Sequence, residues 1–300
     1  MLELIDLSRR FGDVVALDGV TFAVPKGELI GFVGRNGAGK TTAMRIALGV
    51  LEADGGEVRW EGRPADREIR RRFGYMPEER GLYPKMRVLE QLVYLGRLHG
   101  MAKVDARGRA LELLEILEVD GRPGDRVESL SLGNQQRVQM AAALVHGPTA
   151  LVLDEPFSGL DPTGVDVLAS VLSKEARERD VPIVFSSHQL DLVERLCDGV
   201  VLIDRGRIVA QGTIAELRGM RARNLLRLEV ERAPDGWWDV VPGVSLDRRT
   251  DGAVVLELAD GADPQRVLDV ARHAGDVRRF GPVEPSLSQL FREVVEGAGP

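Results

Sequence analysis

The sequence predicts an α/β protein: a mainly parallel sheet core, antiparallel strands at the N-terminal end, a helical stretch inserted midway, and a small α+β unit at the C-terminal end. Three observations predict it. Short apolar runs (LIGFV, LVLD, PIVFSS) alternate with helix-periodic segments, the pattern of parallel strands buried on both faces. Residues 1–33 instead alternate apolar with polar and carry turn signals at Gly12-Asp13, Asp18-Gly19 and Lys26-Gly27. Near Arg218 the pattern changes: four arginines and no acid occupy residues 218–227, and a new alternation begins.

Taken in order, residues 1–33 give three short strands, the last over Glu28–Val33. A glycine-rich turn leads into a helix around Thr41–Val50. Residues 64–130 read mostly helical, with Leu111, Leu114 and Leu117 as an apolar stripe. A further helix is expected over 134–146. Residues 151–154 and 182–187 read as buried strands, DLVERLCD as a short helix, and VVLIDRGRIVAQG as a hairpin turning at Arg205-Gly206. In the last part LLRLEVE and VVLEL (254–258) alternate as strands. Asp263-Pro264 supplies the N-cap and first position of a helix ending near Gly275. Ser286 caps a final helix with Leu287, Leu290, Phe291, Val294 and Val295 on one face. This divides the chain into a domain over 1–217, with a helical subdomain at about 80–135, and an accessory α+β domain over 222–298.

Composition narrows the function. The chain has 300 residues, 44% hydrophobic and 29% charged, enough for a real core. A net charge of −7 argues against a general binder of nucleic acid or anionic membrane. Cys197 is the only cysteine, so no intrachain disulfide forms, which suits a reducing compartment. The N-terminal residues are too charged for a signal peptide. The charge-free stretch Met140–Leu153 is too short and too broken by Gly147 and Pro148 to span a bilayer. His99, His146 and His273 read as structural, Trp237-Trp238 as packing of the small domain, and the arginines of 63–72 as a solvated face.

Gly34-Arg35-Asn36-Gly37-Ala38-Gly39-Lys40-Thr41-Thr42 matches the phosphate-loop pattern and sits between an apolar strand and a helix. Its glycines let backbone N–H groups turn toward phosphate oxygens, and the helix start adds its positive dipole end. Lys40 is expected on the outer phosphates and the Thr41 hydroxyl on Mg²⁺. Leu151–Leu153 then ends in two acids. Asp154 suits a metal, and Glu155 suits orienting or deprotonating a water. Ser131 and Gly133 open a second helix N-terminus just upstream. Taken alone, this is as well explained by a helix cap.

In this order the segments resemble the ATP-binding cassette ATPases, the nucleotide-hydrolysing subunits of ABC transporters, over roughly residues 2–217. Leu130-Ser131-Leu132-Gly133-Asn134, followed by Gln135-Gln136-Arg137, is similar to the family's signature motif. Leu132 stands where many members have glycine, and Asn134 where many have glutamine. Phe11 matches the aromatic that stacks on adenine. Ser158-Gly159-Leu160-Asp161 resembles the loop joining two active sites, and Ser187-His188 the switch histidine. Glu78, in Gly74-Tyr75-Met76-Pro77-Glu78, replaces the usual glutamine and keeps an oxygen ligand for the metal while losing the amide donor. Glu79–Met86 and the ending PSLSQLFREVV are similar to the sodium-exporter-like and drug-exporter-like branch.

The resemblance implies ATP and Mg²⁺ as ligands, with Glu155 and His188 catalytic and Thr41, Glu78 and Asp154 around the metal. It implies Phe11, residues 34–42, residues 131–135 and Asp161 around the nucleotide. It further implies a transmembrane permease partner, a second cassette (the same chain or another) closing head to tail, and a place on the cytoplasmic face of the membrane, reached through the permease. No nucleic-acid partner is expected. A mechanical ATPase of translation or chromosomes fits less well. There is one cassette here, and the interval from Lys40 to Ser131 holds no coiled-coil heptads. A GTPase is disfavoured because no lysine follows an asparagine.

Overall fold

The structure is a computed structural model that describes residues 1–79, 81–121, 123–220, 224–250, 252–259, 261–283 and 287–288. These divide into two compact units, one running from Met1 to Ile214 and one beginning at Ala215.

The first unit contains β1 (Leu2–Phe11), β2 (Val14–Val24), β3 (Leu29–Val33), α1 (Lys40–Ala47), β4 (Gly55–Trp60), β5 (Arg63–Pro64), α2 (Arg67–Arg70) and β6 (Phe73–Met76). It continues with α3 (Val88–Leu98), α4 (Lys103–Ile116), α5 (Leu132–Leu144), β7 (Ala150–Leu153), α6 (Pro162–Arg179), β8 (Ile183–Ser187), α7 (Leu190–Leu196), β9 (Gly199–Asp204) and β10 (Arg207–Thr213). Helix α8 (Ile214–Met220) follows.

Two sheets form. β2-β1-β4-β5 is antiparallel, as the alternation of residues 1–33 requires. The six-stranded sheet has order β10-β9-β3-β8-β7-β6 and is parallel except for the β9–β10 hairpin. Every residue of β3, β7 and β8 is buried, which is why these runs carry no alternation. Phe32, Met44, Val152 and Val184 lie in a core shared with Leu4, Leu7 and Val20 of the antiparallel sheet. Among the described residues no helix is long and apolar enough to cross a membrane.

Several sequence expectations change. β1 and β2 are 10 and 11 residues long, not short. The segment 64–130 is only partly helical. It begins with β5, and it contains β6, whose four residues cover the edge of the parallel sheet beside β7. In α4 the buried residues are Ala106, Ala110, Leu113 and Leu114, whereas Leu111 is 39% exposed. Leu114, and Leu117 just past the helix end, are buried as the stripe predicts, so only Leu111 departs from it, and Ala106, Ala110 and Leu113 complete the packed face. α5 runs from Leu132 to Leu144, two residues earlier than expected, because Ser131 caps it. α1 ends at Ala47, short of Val50.

The second unit pairs β11 (Asn224–Glu231), β12 (Val244–Thr250), β13 (Ala253–Leu258) and β14 (Asp276–Pro282) in one antiparallel sheet of order β12-β13-β11-β14. Its helix α9 (Pro264–Ala274) starts at Asp263, whose carboxylate accepts from the Gln265 N–H. Trp237 and Trp238 are buried in this unit's own core with Leu228, Leu256 and Val267. Ser286, Leu290, Phe291, Val294 and Val295, read as a last helix, lie outside the described residues, as does Arg80.

Candidate functional site

β3, β6, β7 and β8 run parallel, so their carboxyl ends share one edge of the sheet, where open α/β folds bind ligands. The register aligns the residues just beyond each strand. Val33 pairs with Ser187, Leu153 with Phe185, and Met76 with Leu153. The phosphate loop and His188 therefore leave adjacent strands side by side, and Asp154 lies level with Ser186.

The loop from Gly34 to Gly39 is shaped by close packing. A Cβ at Gly34 would lie 2.4 Å from the Ile203 carbonyl oxygen, and one at Gly39 would lie 2.5 Å from that of Ala16. Gly39 also has φ +110°, which favours glycine. The tip of the β9–β10 hairpin braces the loop, since the Gly206 N–H donates to the Ala38 carbonyl at 2.9 Å. Arg35, Asn36 and Gly37 remain exposed, while Thr41 and Thr42 are half-buried at the start of α1. Lys40 is 7% exposed, and its Nζ donates to the carbonyls of Gly34 at 2.7 Å and Arg35 at 3.2 Å. Burial pulls the ammonium below its ordinary range, and the charges of Glu155, Asp154 and Glu78 push the other way. Those three acids thus lie within electrostatic reach of Lys40.

Asp154 is 1% exposed. Its Oδ1 accepts from the Ser186 hydroxyl at 2.5 Å, and its Oδ2 is buried without a hydrogen-bond partner among the described residues. Glu155 adopts φ +50°, a left-handed conformation that costs a non-glycine residue about 1–3 kcal/mol. Its N–H donates to the Ser186 hydroxyl at 2.8 Å, and the Gln136 side-chain amide donates to the carbonyls of Glu155 at 3.3 Å and Pro156 at 2.9 Å. One Glu155 oxygen, Oε2, lies 3.0 Å from His188 Nδ1. Burial pushes the Glu155 carboxyl above its ordinary range. The His188 hydrogen bond and the charges of His188 and Lys40 oppose that, and Asp154 adds to it.

The donor set fits Mg²⁺. A buried carboxylate oxygen lacks a partner, the Thr41 hydroxyl opens α1, and exposed Glu78 is near enough to act on Lys40, all hard oxygen ligands. Among the described residues no three His, Cys, Asp or Glu side chains form a complete metal-binding group.

The remaining predicted site residues make local contacts. The Ser131 hydroxyl caps α5 by accepting from the Asn134 N–H at 3.3 Å. Asn134 accepts from the Asp120 N–H, and Gln135 donates to the Leu130 carbonyl. Leu132 is 58% exposed. Gly133 lies against Gly159 and Leu160, so the signature-like turn and the 158–161 loop are neighbours. Asp161 caps α6 by accepting from the Gly164 N–H. Phe11, 47% exposed, ends β1 with the Arg9 guanidinium 4.9 Å from its ring centre, and Asp54 holds that arginine.

Lys40, Glu78, Asp154, Glu155 and His188 thus come together at one sheet edge. One residue in this arrangement, Ser186, escapes sequence reading, and Gln136, read only as part of the signature-like motif, proves to hold the carbonyls of Glu155 and Pro156. The available signal for Ser186 is a hydroxyl inside a fully buried strand, where a polar group must find a partner. Of the other histidines, His99 stacks on His146 with ring centres 3.8 Å apart, and His273 meets the Asp269 carbonyl of its own helix. Arg63, Arg67, Arg71 and Arg72 are exposed, while Arg70 is half-buried, and burial lowers its pKa.

The chain is similar to known proteins over most of its length. Residues 17–158 match the ABC transporter family, and residues 212–295 match the family described as ATP-binding protein DrrA1-3-like, C-terminal domain. The chain is 38% identical over 296 residues to the uncharacterized ABC transporter ATP-binding protein YhaQ of Bacillus subtilis, covering 98% of each. It is 36% identical over 214 residues to the Nod factor export ATP-binding protein I of Burkholderia lata, covering 70% of each. The dimeric structure of a bacterial ABC transporter cassette superposes with a TM-score of 0.66 at 25% identity, over 71% of this chain and 99% of that one.

Proposed function

The chain belongs to the ATP-binding subunits of ABC transporters and hydrolyses ATP, and from that premise we propose that it powers export through a separate membrane permease. The observation that carries the site reading is the convergence of Lys40, Asp154, Glu155 and His188 on one sheet edge. Residues Gly34–Thr42 wrap the phosphates, with Lys40 turning from the Gly34 and Arg35 carbonyls to the outer phosphate oxygens. Thr41, Asp154 and Glu78 would hold Mg²⁺, which when bound neutralises charge on the β- and γ-phosphate oxygens. Glu155 takes a proton from the water attacking the γ-phosphorus, and its environment suits this. Burial raises its basicity, and His188 holds its oxygen in position. His188 itself, more than half exposed, meets the γ-phosphate side. Phe11 stacks on adenine.

In this reading ATP is shared between two chains. Ser131, Leu132, Gly133, Asn134 and Gln135 of one cassette face the nucleotide held by the phosphate loop of the other, and Asp161 links the two sites. The exposure of Leu132 beside a capped helix start supports such an intermolecular role. The partner cassette is a second copy of this chain or a different one. Residues 1–217 act as the ATP-binding domain, with the helical subdomain at about 80–135, and 222–298 as the accessory domain. The protein works at the cytoplasmic face of the membrane, held there by its permease. The relative named for Nod factor export supports the outward direction.

Glu155→Gln tests the reading. It removes the base at nearly constant shape, so steady-state hydrolysis is expected to fall about 10²–10⁴-fold while ATP binding persists. Sizing with ATP is expected to show a trapped dimer. Undiminished hydrolysis would overturn the role of Glu155.

A further inference from the structure

Ser186 lies at the end of β8, fully buried, and touches both acids at once. A hydroxyl has one hydrogen. The Glu155 backbone N–H can only donate, so it occupies a lone pair of Ser186 Oγ at 2.8 Å. The hydroxyl hydrogen is thereby free for Asp154 Oδ1, 2.5 Å away. Of the two oxygens of Asp154, one is committed to protein and the other, Oδ2, is buried with no partner among the described residues. The same hydroxyl restrains the peptide that carries Glu155 in its left-handed conformation. An apolar side chain here would leave the Asp154 oxygen and the Glu155 N–H buried and unpaired together.

We infer that Ser186 is a positioning residue for hydrolysis: its hydroxyl turns the Asp154 carboxylate so that Oδ2 alone serves the metal–nucleotide, and fixes the backbone from which Glu155 reaches the water. The inference rests on the proposed roles of Asp154 and Glu155 and assigns them a common support. Ser186 touches neither nucleotide nor water itself. Its neighbour Ser187 is spent differently, accepting from the Gln189 N–H at the turn into α7, so the two adjacent hydroxyls are not interchangeable.

The test compares the full-length chain with Ser186→Ala and Ser186→Thr. Four quantities are read: kcat, the KM for ATP, the Mn²⁺ concentration that half-activates, and Mn²⁺ bound beside a non-hydrolysable ATP analogue by electron paramagnetic resonance. Supports of metal ligands contribute about 10–100-fold to affinity or activity, and a loss of that size is expected in kcat and in Mn²⁺ affinity for Ser186→Ala. The KM for ATP is expected to hold, because the phosphate loop is untouched. Ser186→Thr keeps the hydroxyl and is expected to restore both losses.

Wild-type kcat and Mn²⁺ binding in Ser186→Ala would overturn the inference. So would a loss confined to melting temperature, or one that Ser186→Thr fails to recover. Should Ser186→Ala not fold, Ser186→Cys decides: it fills the site with a slightly larger atom and only a weak donor, and must also lose kcat and Mn²⁺ affinity. Asp154→Asn and Glu155→Gln separate the two levels. If both hydrolyse normally, the reading of the site falls. If both are impaired while Ser186→Ala is not, only the role of Ser186 falls.

Discussion

His146 stacks on His99 at 3.8 Å, and burial, followed by the charge of that neighbouring ring, lowers its pKa from 6.5 to about 4. The folded chain therefore keeps this imidazole neutral where the unfolded chain protonates it. The unfolded state binds more protons between the two values, so stability rises with pH there. The contribution is fully present above pH 6.5 and lost as the pH falls to about 4. His146→Phe keeps a flat ring against His99 and removes the titration. Its melting temperature is expected to decline less steeply than wild type between those pH values, measured by circular dichroism. Parallel declines would mean that His146 is already protonated in the fold. The sequence permits only the statement that His146 is structural. Its depressed pKa depends on burial and on a ring far away in the chain, which no local pattern reveals.

Among elements, the phosphate loop is the most sharply specified. Gly39→Ala combines a strained φ with a Cβ 2.5 Å from the Ala16 oxygen and is expected to abolish nucleotide binding and lower stability. Gly37 has φ +81° but open space around its missing Cβ, so Gly37→Ala is expected to lose only about 1–2 kcal/mol of stability to backbone strain. Binding of a fluorescent ATP analogue and melting curves distinguish the two. Equal effects would show that packing does not set the loop. This loop, β3, β7, β8 and the β9–β10 hairpin were legible because each is marked by residues adjacent in sequence. β6 was not, since its four residues include Gly74 and follow an arginine run. α6 was also hidden. Its cap, Asp161, reads equally as a functional loop residue, and its buried Leu168, Val171 and Leu172 form one short apolar cluster between Asp166 and the charged run that begins at Lys174. Within the site the motif residues were legible and their supports were not. Ser186 meets acids 31 and 32 positions earlier, and Gln136 meets carbonyls 19 and 20 positions later, distances at which spacing carries no signal.

At the scale of the whole molecule the proposed shared site makes a prediction that no arrangement within one chain makes. Lys40→Ala spoils the phosphate loop and leaves the signature-like turn, while Ser131→Arg does the reverse. Each alone is expected to be inactive as a homodimer. A mixed dimer of a two-fold assembly has one site with both faults and one with neither, so mixing the two inactive proteins is expected to restore hydrolysis. Absence of rescue at every ratio, with mixed dimers demonstrated by tagged co-purification, would place each site within a single chain or couple the two sites obligatorily. The second unit has a different consequence. Its core, from Leu226 to Phe280 and including the paired tryptophans, is assembled from residues contiguous in the chain. Contiguity in the chain is contiguity in the gene. A single recombination near the codons for Ile214 and Ala215 transfers that core whole, so descent can trade this segment between lineages as one inheritable cartridge.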